Sequence, residues 1–280
     1  MKREFCCRFF LLCITLLLAG ASAHASDVSV TPAELSPGDL FILKVKSQDN
    51  TPVDASIFDR KIYLYPDGDY LMGLVPVDID VKPDMYKLHI RRGTETLAAH
   101  ITVRIRDVRT INLTLPEGKV TLSPEDQKRV EEEHVLQTTL WNKTTEPAWE
   151  GRFISPLDTE VSTEFGVKRI MNKKKTSIHR GTDFRGKAGT PVQAVNSGTV
   201  VLSRDLFYGG NTLVIDHGMG LYSVYMHLSE FNAAEGDRVE KGRVVGFVGS
   251  SGRATGPHLH MSVKLNGVSV DPEALFRLAL

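Results

Sequence analysis

Residues 255–263 read TGPHLHMSV, and they hold two histidines separated by a single residue. Side chains of an extended strand alternate between two faces. His258 and His260 therefore point the same way, while Leu259 and Met261 point the opposite way, towards a core. Two imidazoles on one face offer two nitrogen ligands to a metal ion. The pattern predicts a strand that lies beside a metal site.

The segment SIHRGTDFRG at 177–186 offers a further pair of ligands. His179 and Asp183 are four residues apart, and an extended chain returns to the same face over that distance. Gly181 between them argues against a helix. Taken alone the spacing is weak evidence, because a surface histidine beside a turn aspartate has the same pattern.

The segment LYSVYMHLS at 221–229 reads as a strand with one polar face. We expect Ser223, Tyr225 and His227 on that face. The expected apolar face consists of Val224, Met226 and Leu228. His227 thus becomes a candidate for the same site.

The other histidines fit structural or surface positions. His217 falls in register with Leu213 and Ile215, which is typical of a partly buried structural histidine. His89 and His100 fall on the polar faces of predicted strands and are expected at the surface.

Residues 26–115 show short alternating runs separated by turn signals, which predicts an immunoglobulin-like β-sandwich. The clearest runs are LFILKVK (40–46), YKLHIRR (86–92), ITVRIRD (101–107) and INLTL (111–115). Each run has one apolar face, as a two-sheet sandwich requires.

Residues 116–150 are predicted to form a helical linker. The sequence SPED at 123–126 is typical of a helix start, with a hydroxyl cap, a proline and acidic residues in the first turn. A thin stripe on this charged helix would consist of Val130, His134, Gln137 and Trp141. Residues 151–280 return to strands and turns, now rich in glycine and histidine.

The histidine-rich segments together suggest a zinc site. His179, Asp183 and one of His258 or His260 would supply two nitrogens and one oxygen, and catalytic zinc takes three protein ligands and keeps a fourth position open. Spacing alone does not decide which histidine of the pair binds. No His-Glu-x-x-His motif is present.

The blocks HRGTDF (179–184), YMHL (225–228) and TGPHLH (255–260) resemble the three signature blocks of lysostaphin/LytM-type zinc metallopeptidases. The resemblance covers about residues 153–280. It implies a mainly antiparallel β domain with a groove, over 151–280, and one zinc ion per chain. Family members often carry Phe-Glu where this chain has Met261-Ser262.

The resemblance also implies roles for individual residues. The zinc ligands would be His179, Asp183 and His260. The catalytic histidines would be His227 and His258. Residues that support the site or bind substrate would be Tyr225, Thr255 and Asn211.

The function that the resemblance implies is hydrolysis of peptide cross-links in bacterial peptidoglycan, by attack of a zinc-bound water on the scissile carbonyl. The partners would be peptidoglycan stem peptides, and the expected bond joins D-alanine to meso-diaminopimelate, with a glycine bridge as the alternative. A different class is a non-enzymatic envelope protein that binds and activates a cell-wall amidase. The complete ligand set favours the enzyme. Contact of the β domain or the linker with the groove could hold such an enzyme latent.

Residues 1–25 read as a signal peptide, so export to the periplasm or cell envelope is expected. Three basic residues precede an apolar run at 9–18, and Ala23-His24-Ala25 forms a cleavage pattern. An uncleaved membrane anchor is the alternative. All three cysteines lie in this segment, so a metal in the mature chain must use His, Asp or Glu.

The mature chain would carry 31 basic and 33 acidic residues, a net charge of about −2. This balance does not point to nucleic acid or to an anionic membrane surface. No second apolar stretch is long enough to span a bilayer, so stable membrane insertion of the mature chain is not expected.

Overall fold

A computed structural model describes residues 27–47, 51–141 and 143–280. The predicted signal peptide, with Cys6, Cys7 and Cys13, lies outside these residues. Within them the chain forms 22 strands and two α-helices, and is mainly β as predicted. Neither helix in these ranges combines the length and apolarity that a membrane span requires.

The N-terminal half contains two sheets. One has the strand order β1-β3-β7-β6 and the other β2-β9-β8-β4-β5. The strands are β1 (Val28–Thr31), β2 (Glu34–Leu35), β3 (Leu40–Lys46), β4 (Val53–Ile57), β5 (Arg60–Ile62), β6 (Tyr65–Asp67), β7 (Tyr70–Pro76), β8 (Asp84–Arg92) and β9 (Glu95–Val103).

These two sheets share one hydrophobic core. Phe41 and Leu43 of β3 enter it from the first sheet, and Leu88 and Ile90 of β8 enter it from the second. His89, between the two β8 core residues, is exposed, as is His100, so both surface predictions are confirmed. A two-sheet sandwich is therefore present, and its immunoglobulin-like classification stays a prediction.

The first sheet is buried on both faces. Leu40 and Ile42 of β3, with Met72 and Leu74 of β7, belong to the core of the C-terminal half. This explains why β3 is buried almost continuously. Ile42 alternates with Phe41 and Leu43, and it is buried on the opposite face of the strand.

The strand β10 (Thr110–Leu113) belongs to a different sheet from the one its sequence predicted. It runs parallel to β12 (Lys168–Met171), which pairs in turn with β13 (Lys175–Ile178). The run at 111–115 thus lies with the C-terminal half, although the prediction grouped it with the sandwich. Alternation predicts a strand but does not identify its partner.

Helix α1 (Pro124–Trp141) begins as predicted, because the Ser123 hydroxyl accepts the backbone N–H of Asp126 at 3.1 Å. Its contact stripe agrees with the prediction at Trp141 but not at His134, which is exposed. Leu136 and Leu140 complete the apolar contact. Leu140 packs in a small core on one face of the large sheet, with Leu202, Leu206, Val214, Tyr222 and Val224. The helix is therefore attached to the C-terminal half.

The C-terminal half is built on a large antiparallel sheet with the order β11-β14-β21-β18-β17-β16-β19. The strand β21 lies between β14 and β18, with Leu259 and Met261 fully buried below it, as their alternation predicted. The remaining elements are β11 (Val161–Thr163), β14 (Thr182–Arg185), β15 (Pro191–Gln193), β16 (Gly198–Leu206), β17 (Gly210–Gly218), β18 (Leu221–Phe231), β19 (Arg238–Val239), β20 (Val244–Val248), β21 (His258–Leu265), β22 (Val268–Val270) and α2 (Pro272–Arg277).

Arg106 joins the two halves electrostatically. Its guanidinium lies 2.8 Å from Asp39 of the sandwich and 3.1 Å from Asp271, the cap of α2. The three side chains are between 7% and 17% exposed, so solvent screens the attraction weakly.

Replacing Arg106 with leucine should lower the free energy of unfolding by about 3 kcal/mol, because two largely buried carboxylates lose their shared cation. Urea denaturation measures the change. Arg104→Leu is the control, since Arg104 and its partner Glu34 are both exposed, and its loss should stay below about 1 kcal/mol. Equal losses in the two variants would contradict this account.

Candidate metal centre

Strand register brings Asp183 and His260 together. In the antiparallel pair formed by β14 and β21, Asp183 lies directly opposite His260. His179 lies just before β14 and folds back onto the same side. Gly181 lets the chain pass closely, because a Cβ there would lie 2.5 Å from the Met261 carbonyl oxygen and 2.6 Å from Nε2 of His260.

Three ligand atoms converge in this arrangement. His179 Nε2 lies 3.0 Å from His260 Nδ1 and 3.1 Å from Asp183 Oδ1, and His260 Nδ1 lies 2.8 Å from that same oxygen. A tetrahedral zinc ion with bonds of about 2.0–2.2 Å separates its ligands by about 3.3–3.6 Å. Shifts of a few tenths of an ångström would therefore accommodate the ion.

The group that could bind a metal contains His260 and not His258. The sequence spacing left this choice open. His258 Nε2 lies 3.9 Å from Asp183 Oδ1, beside the group but outside it.

The second nitrogen of each histidine in the group has its own partner. His179 Nδ1 lies 2.8 Å from the Glu164 carbonyl oxygen, which can only accept, so the N–H is on Nδ1. His260 Nε2 lies 2.8 Å from the Ser262 hydroxyl, which can accept the N–H of that nitrogen. Such partners orient ligating histidines and fix their tautomers.

The electrostatics of the group fit a cation. Burial lowers the pKa of His179 to about 4, despite the opposing effect of Asp183, so the ring is neutral at pH 7. With its N–H on Nδ1, His179 directs a lone pair from Nε2 at the carboxylate. Lone pairs of both imidazoles and Asp183 then face one another at about 3 Å, and a metal ion would turn this repulsion into attraction.

Arg169 binds the other oxygen of Asp183. The basic run that contains Arg169 is expected from its sequence to form a solvated loop or to rim the groove, but this contact is not predicted. The guanidinium donates to Asp183 Oδ2, which leaves Oδ1 for the histidine side. Arg169 belongs to a run of basic residues at 168–175 in which Lys173, Lys174 and Lys175 are exposed. Within that run, Arg169 is the residue that lines the groove.

His227 and His258 form a second pair beside the group, with ring centroids 4.8 Å apart. Nδ1 of His227 lies 2.8 Å from the Ser251 carbonyl oxygen, and Nδ1 of His258 lies 2.8 Å from that of Gly256. Both carbonyls accept, so each neutral ring keeps a lone pair on Nε2. Burial, together with the neighbouring His260 and His258, lowers the pKa of His227 to about 3.

A bulge in β18 places His227 in the groove. Its φ is 63°, in the left-handed region, and the strand pairing shifts register around it. The alternation of the strand is therefore broken between Met226 and Leu228. A non-glycine residue held in this region stores backbone strain, which is common at functional sites.

The bulge overturns the predicted role of Tyr225. Its side chain lies in the core on the other face of the sheet, and its hydroxyl accepts the N–H of Val195 at 2.9 Å. Burial raises the pKa of Tyr225 to about 12. Tyr225 and His227 share a face only in an unbroken strand, so Tyr225 does not line the site.

The two other supporting candidates differ in their positions. Thr255 lines the groove together with Asp183 and both histidines of the second pair. Asn211 supports the loop behind them, since its backbone N–H donates to the Ser251 hydroxyl at 2.9 Å. The carbonyl of the same serine holds His227.

His217 is a structural histidine as predicted, but it is fully buried where partial burial was expected. Its Nδ1 lies 2.8 Å from the Ser197 carbonyl oxygen and its Nε2 lies 2.8 Å from the Ser223 hydroxyl. The ring belongs to the core and does not reach the groove.

Two cavities adjoin the histidines, with Arg169 lining both. The first, of about 260 Å³, is lined partly by residues 111, 113 and 115 of the segment that contains β10. The second, of about 290 Å³, is lined partly by Gln137 and Trp141 of α1. Segments that precede the large sheet thus form walls of the groove on both sides of the site.

Comparisons with known proteins agree with this fold. Residues 177–272 match the model of peptidase family M23. A crystal structure from Pseudomonas aeruginosa assigned to peptidase M23 is 30% identical, covers 86% of this chain and 94% of its own, and superimposes with a TM-score of 0.66. This protein belongs to peptidase family M23.

Curated relatives match the C-terminal part. The DD-carboxypeptidase/endopeptidase Mpg of Neisseria meningitidis is 40% identical over 114 residues, which is 41% of this chain and 26% of the relative. The peptidoglycan DD-endopeptidase ShyA of Vibrio cholerae is 38% identical over 119 residues, 41% of this chain and 28% of the relative. The matched region is thus about a quarter of the length of these relatives.

Replacing Ser262 with alanine should weaken zinc binding by about tenfold to 100-fold, because His260 loses the partner that orients its ring. Competition with a chromogenic chelator measures the affinity. Ser203→Ala is the control, because that hydroxyl donates to the Ala233 carbonyl away from the site. Unchanged affinity in Ser262→Ala would remove the positioning role of this serine.

The free energy of unfolding should decrease as the pH is lowered, because burial lowers the pKa of His217 from 6.5 to about 4. Below pH 6.5 the His217 imidazole binds a proton in the unfolded chain, whereas in the folded chain it stays neutral down to about pH 4. The contribution is complete above pH 6.5 and is lost towards pH 4, at about 1.4 kcal/mol per pH unit.

Urea denaturation between pH 7 and pH 4.5 tests this slope. His217→Gln should be less stable at pH 7 but should show a shallower pH dependence than the parent. His89→Gln, at an exposed position, should keep the parent slope. An unchanged slope in His217→Gln would refute the assignment.

Proposed function

We propose that this protein is an exported zinc metalloendopeptidase that cleaves peptide cross-links of bacterial peptidoglycan. The observation that carries the proposal is the convergence of three lone-pair ligands beside two imidazoles whose Nε2 atoms are free to accept. Family membership supports the same class of reaction.

His179, Asp183 and His260 would hold the zinc ion. The ion would supply Lewis acidity to polarise the scissile carbonyl and acidify water. Arg169 would keep Asp183 oriented through its outer oxygen, and Ser262 would orient His260. All of these groups are in place before any substrate binds, which minimises reorganisation during the reaction.

His258 is the better placed of the second pair to move protons. Its side chain is 20% exposed, and its Nε2 faces the group at 3.9 Å from Asp183 Oδ1. It would take the proton of the attacking water and return it to the departing amine.

His227 is better suited to accept a hydrogen bond from the water than to protonate the amine. A donor role, either to the oxyanion or to the amine, is the alternative for an imidazole at this position. Its Nδ1–H donates to the Ser251 carbonyl oxygen, and burial disfavours protonation of the other ring nitrogen.

The scissile bond that we propose joins D-alanine to meso-diaminopimelate. The DD-carboxypeptidase/endopeptidase of Neisseria meningitidis and the peptidoglycan DD-endopeptidase of Vibrio cholerae, to which this chain is similar, support it. A glycine bridge is the alternative, because a glycyl-glycine endopeptidase of Staphylococcus capitis is 42% identical over 93 residues. The location that we propose is the periplasm or cell envelope, and the signal-like segment at 1–25 and the peptidoglycan-acting relatives support it.

A non-enzymatic activator of an amidase would not need a complete metal group, nor two free imidazoles beside it. Both are present among the described residues. We therefore favour the enzyme.

Two single variants test the proposal. His260→Ala should lose zinc and activity together, because one of three ligands is gone. His227→Ala should keep zinc and lose at least about 100-fold in turnover, the range expected for one polar group acting on the transition state. Metal content by mass spectrometry and release of muropeptides from purified sacculi are the two measurements.

Asn232→Ala is the control, because its amide donates to the Val244 carbonyl away from the groove. It should keep both zinc and turnover. A zinc-loaded, active His260→Ala protein would contradict the proposed function.

A further inference from the structure

We infer that the cavity between α1 and β21 is a carboxylate-binding subsite, which takes an acidic residue of the stem peptide beside the scissile bond. This inference rests on the proposed function, and it names the chemistry that selects the substrate. We call the cavity the cationic subsite. Its defining residues are Arg253 and Lys264, with Arg169 and Arg180 at its walls.

The lining of the cationic subsite is one-signed. Four basic side chains line a volume of about 290 Å³, and none of the described residues that line it is an aspartate or a glutamate. The subsite also includes His227 and His260, so it opens directly onto the metal centre. Its volume is at the small end for ligand pockets, which fits one residue of a peptide rather than a whole strand.

Two of these four cations already have partners. Arg169 binds Asp183, and Arg180 lies 3.6 Å from Asp80 of the N-terminal half. The carboxylate-binding role does not require Arg169 or Arg180 to be unpaired.

The other two form no ion pair with any carboxylate in the described parts of the chain. The guanidinium carbon of Arg253 lies over the Tyr208 ring, 4.1 Å from the ring centroid. Lys264 donates to the Ser269 hydroxyl at 2.8 Å. Stacking and a neutral acceptor hold these groups in place without neutralising them.

Unpaired cations in a half-buried cavity are costly, and an anion relieves the cost. Burial lowers the pKa of both Arg253 and Lys264. A guanidinium presents parallel N–H donors that match a carboxylate, and an ammonium adds a point charge. A peptide carboxylate therefore fits the pair.

The two cavities differ in the charge of their linings. The first cavity shares Arg169 and Arg253 with the cationic subsite, but it also includes Asp183 and is lined by apolar residues of the segment at 111–115. Arg180 and Lys264 line the second cavity and not the first, so the excess of positive charge is greater on the α1 side. A neutral glycine bridge would leave the cationic subsite without a counter-charge.

Binding of a stem tetrapeptide tests the inference directly. The ligand is L-Ala–γ-D-Glu–meso-diaminopimelate–D-Ala, which contains no cross-link, and its comparison ligand carries carboxamides in place of the carboxylates. Calorimetry on the zinc-loaded full mature chain should show that the amidated peptide binds at least about tenfold more weakly, because the loss of one charge-assisted hydrogen bond lowers affinity by about that factor.

Two variants assign the effect to the cationic subsite. Arg253→Gln and Lys264→Gln should each weaken binding of the acidic peptide by about tenfold and leave the affinity for the amidated peptide unchanged. Arg204→Gln is the matched control, because Arg204 is exposed and pairs with Glu235 away from the groove. Zinc content and circular dichroism establish that each variant is folded, and the two-ligand comparison on the parent protein stands even if one variant fails to fold.

The possible failures are distinguishable. Equal binding of the two peptides to the parent protein would overturn the cationic subsite, and hydrolysis of sacculi would be unaffected by that result. Charge-selective binding without any hydrolysis of sacculi would overturn the proposed function and leave the cationic subsite standing. Equal loss in Arg204→Gln would reduce the effect to overall charge and overturn the subsite.

Discussion

The cross-strand pairing of Asp183 with His260 is the constraint on which the site depends. Antiparallel register sets a carboxylate opposite an imidazole, and the returning chain adds His179 at about 3 Å from both. The buried face of β21, with Leu259 and Met261 in the core, fixes that register, because a slip of one residue would exchange core and site. The folding of the sheet therefore positions the metal ligands.

Hydrogen bonds around this group orient the histidine rings. Four imidazoles each have one nitrogen held by a carbonyl or hydroxyl, which leaves the other nitrogen directed into the site. The strain at His227 has the same consequence, since its left-handed backbone moves the ring from the core side to the groove. The result is a set of acceptors that are fixed in position before the metal and substrate arrive.

Local patterns predicted the elements but not their partners. The alternation in TGPHLHMSV correctly placed Leu259 and Met261 in the core, and the His217 pattern predicted a partly buried structural ring, which the structure buries fully. The pattern around Tyr225 failed because a bulge at His227 changes the phase of the strand. The contact of Arg169 with Asp183 and the partner of β10 could not be predicted, because both depend on contacts between segments more than ten residues apart. The helix stripe was wrong at His134 because few apolar residues distinguished its faces.

The segments before the large sheet are part of the groove. Residues 111–115 and helix α1 line opposite cavities, so a fragment that starts at 151 would lack both walls. The most direct measurement of the central claim is anomalous X-ray diffraction at the zinc edge, on crystals of the zinc-loaded full chain. We predict a single strong peak within about 2.0–2.2 Å of His179 Nε2, Asp183 Oδ1 and His260 Nδ1. No peak there, or a peak held by other residues, would contradict the account.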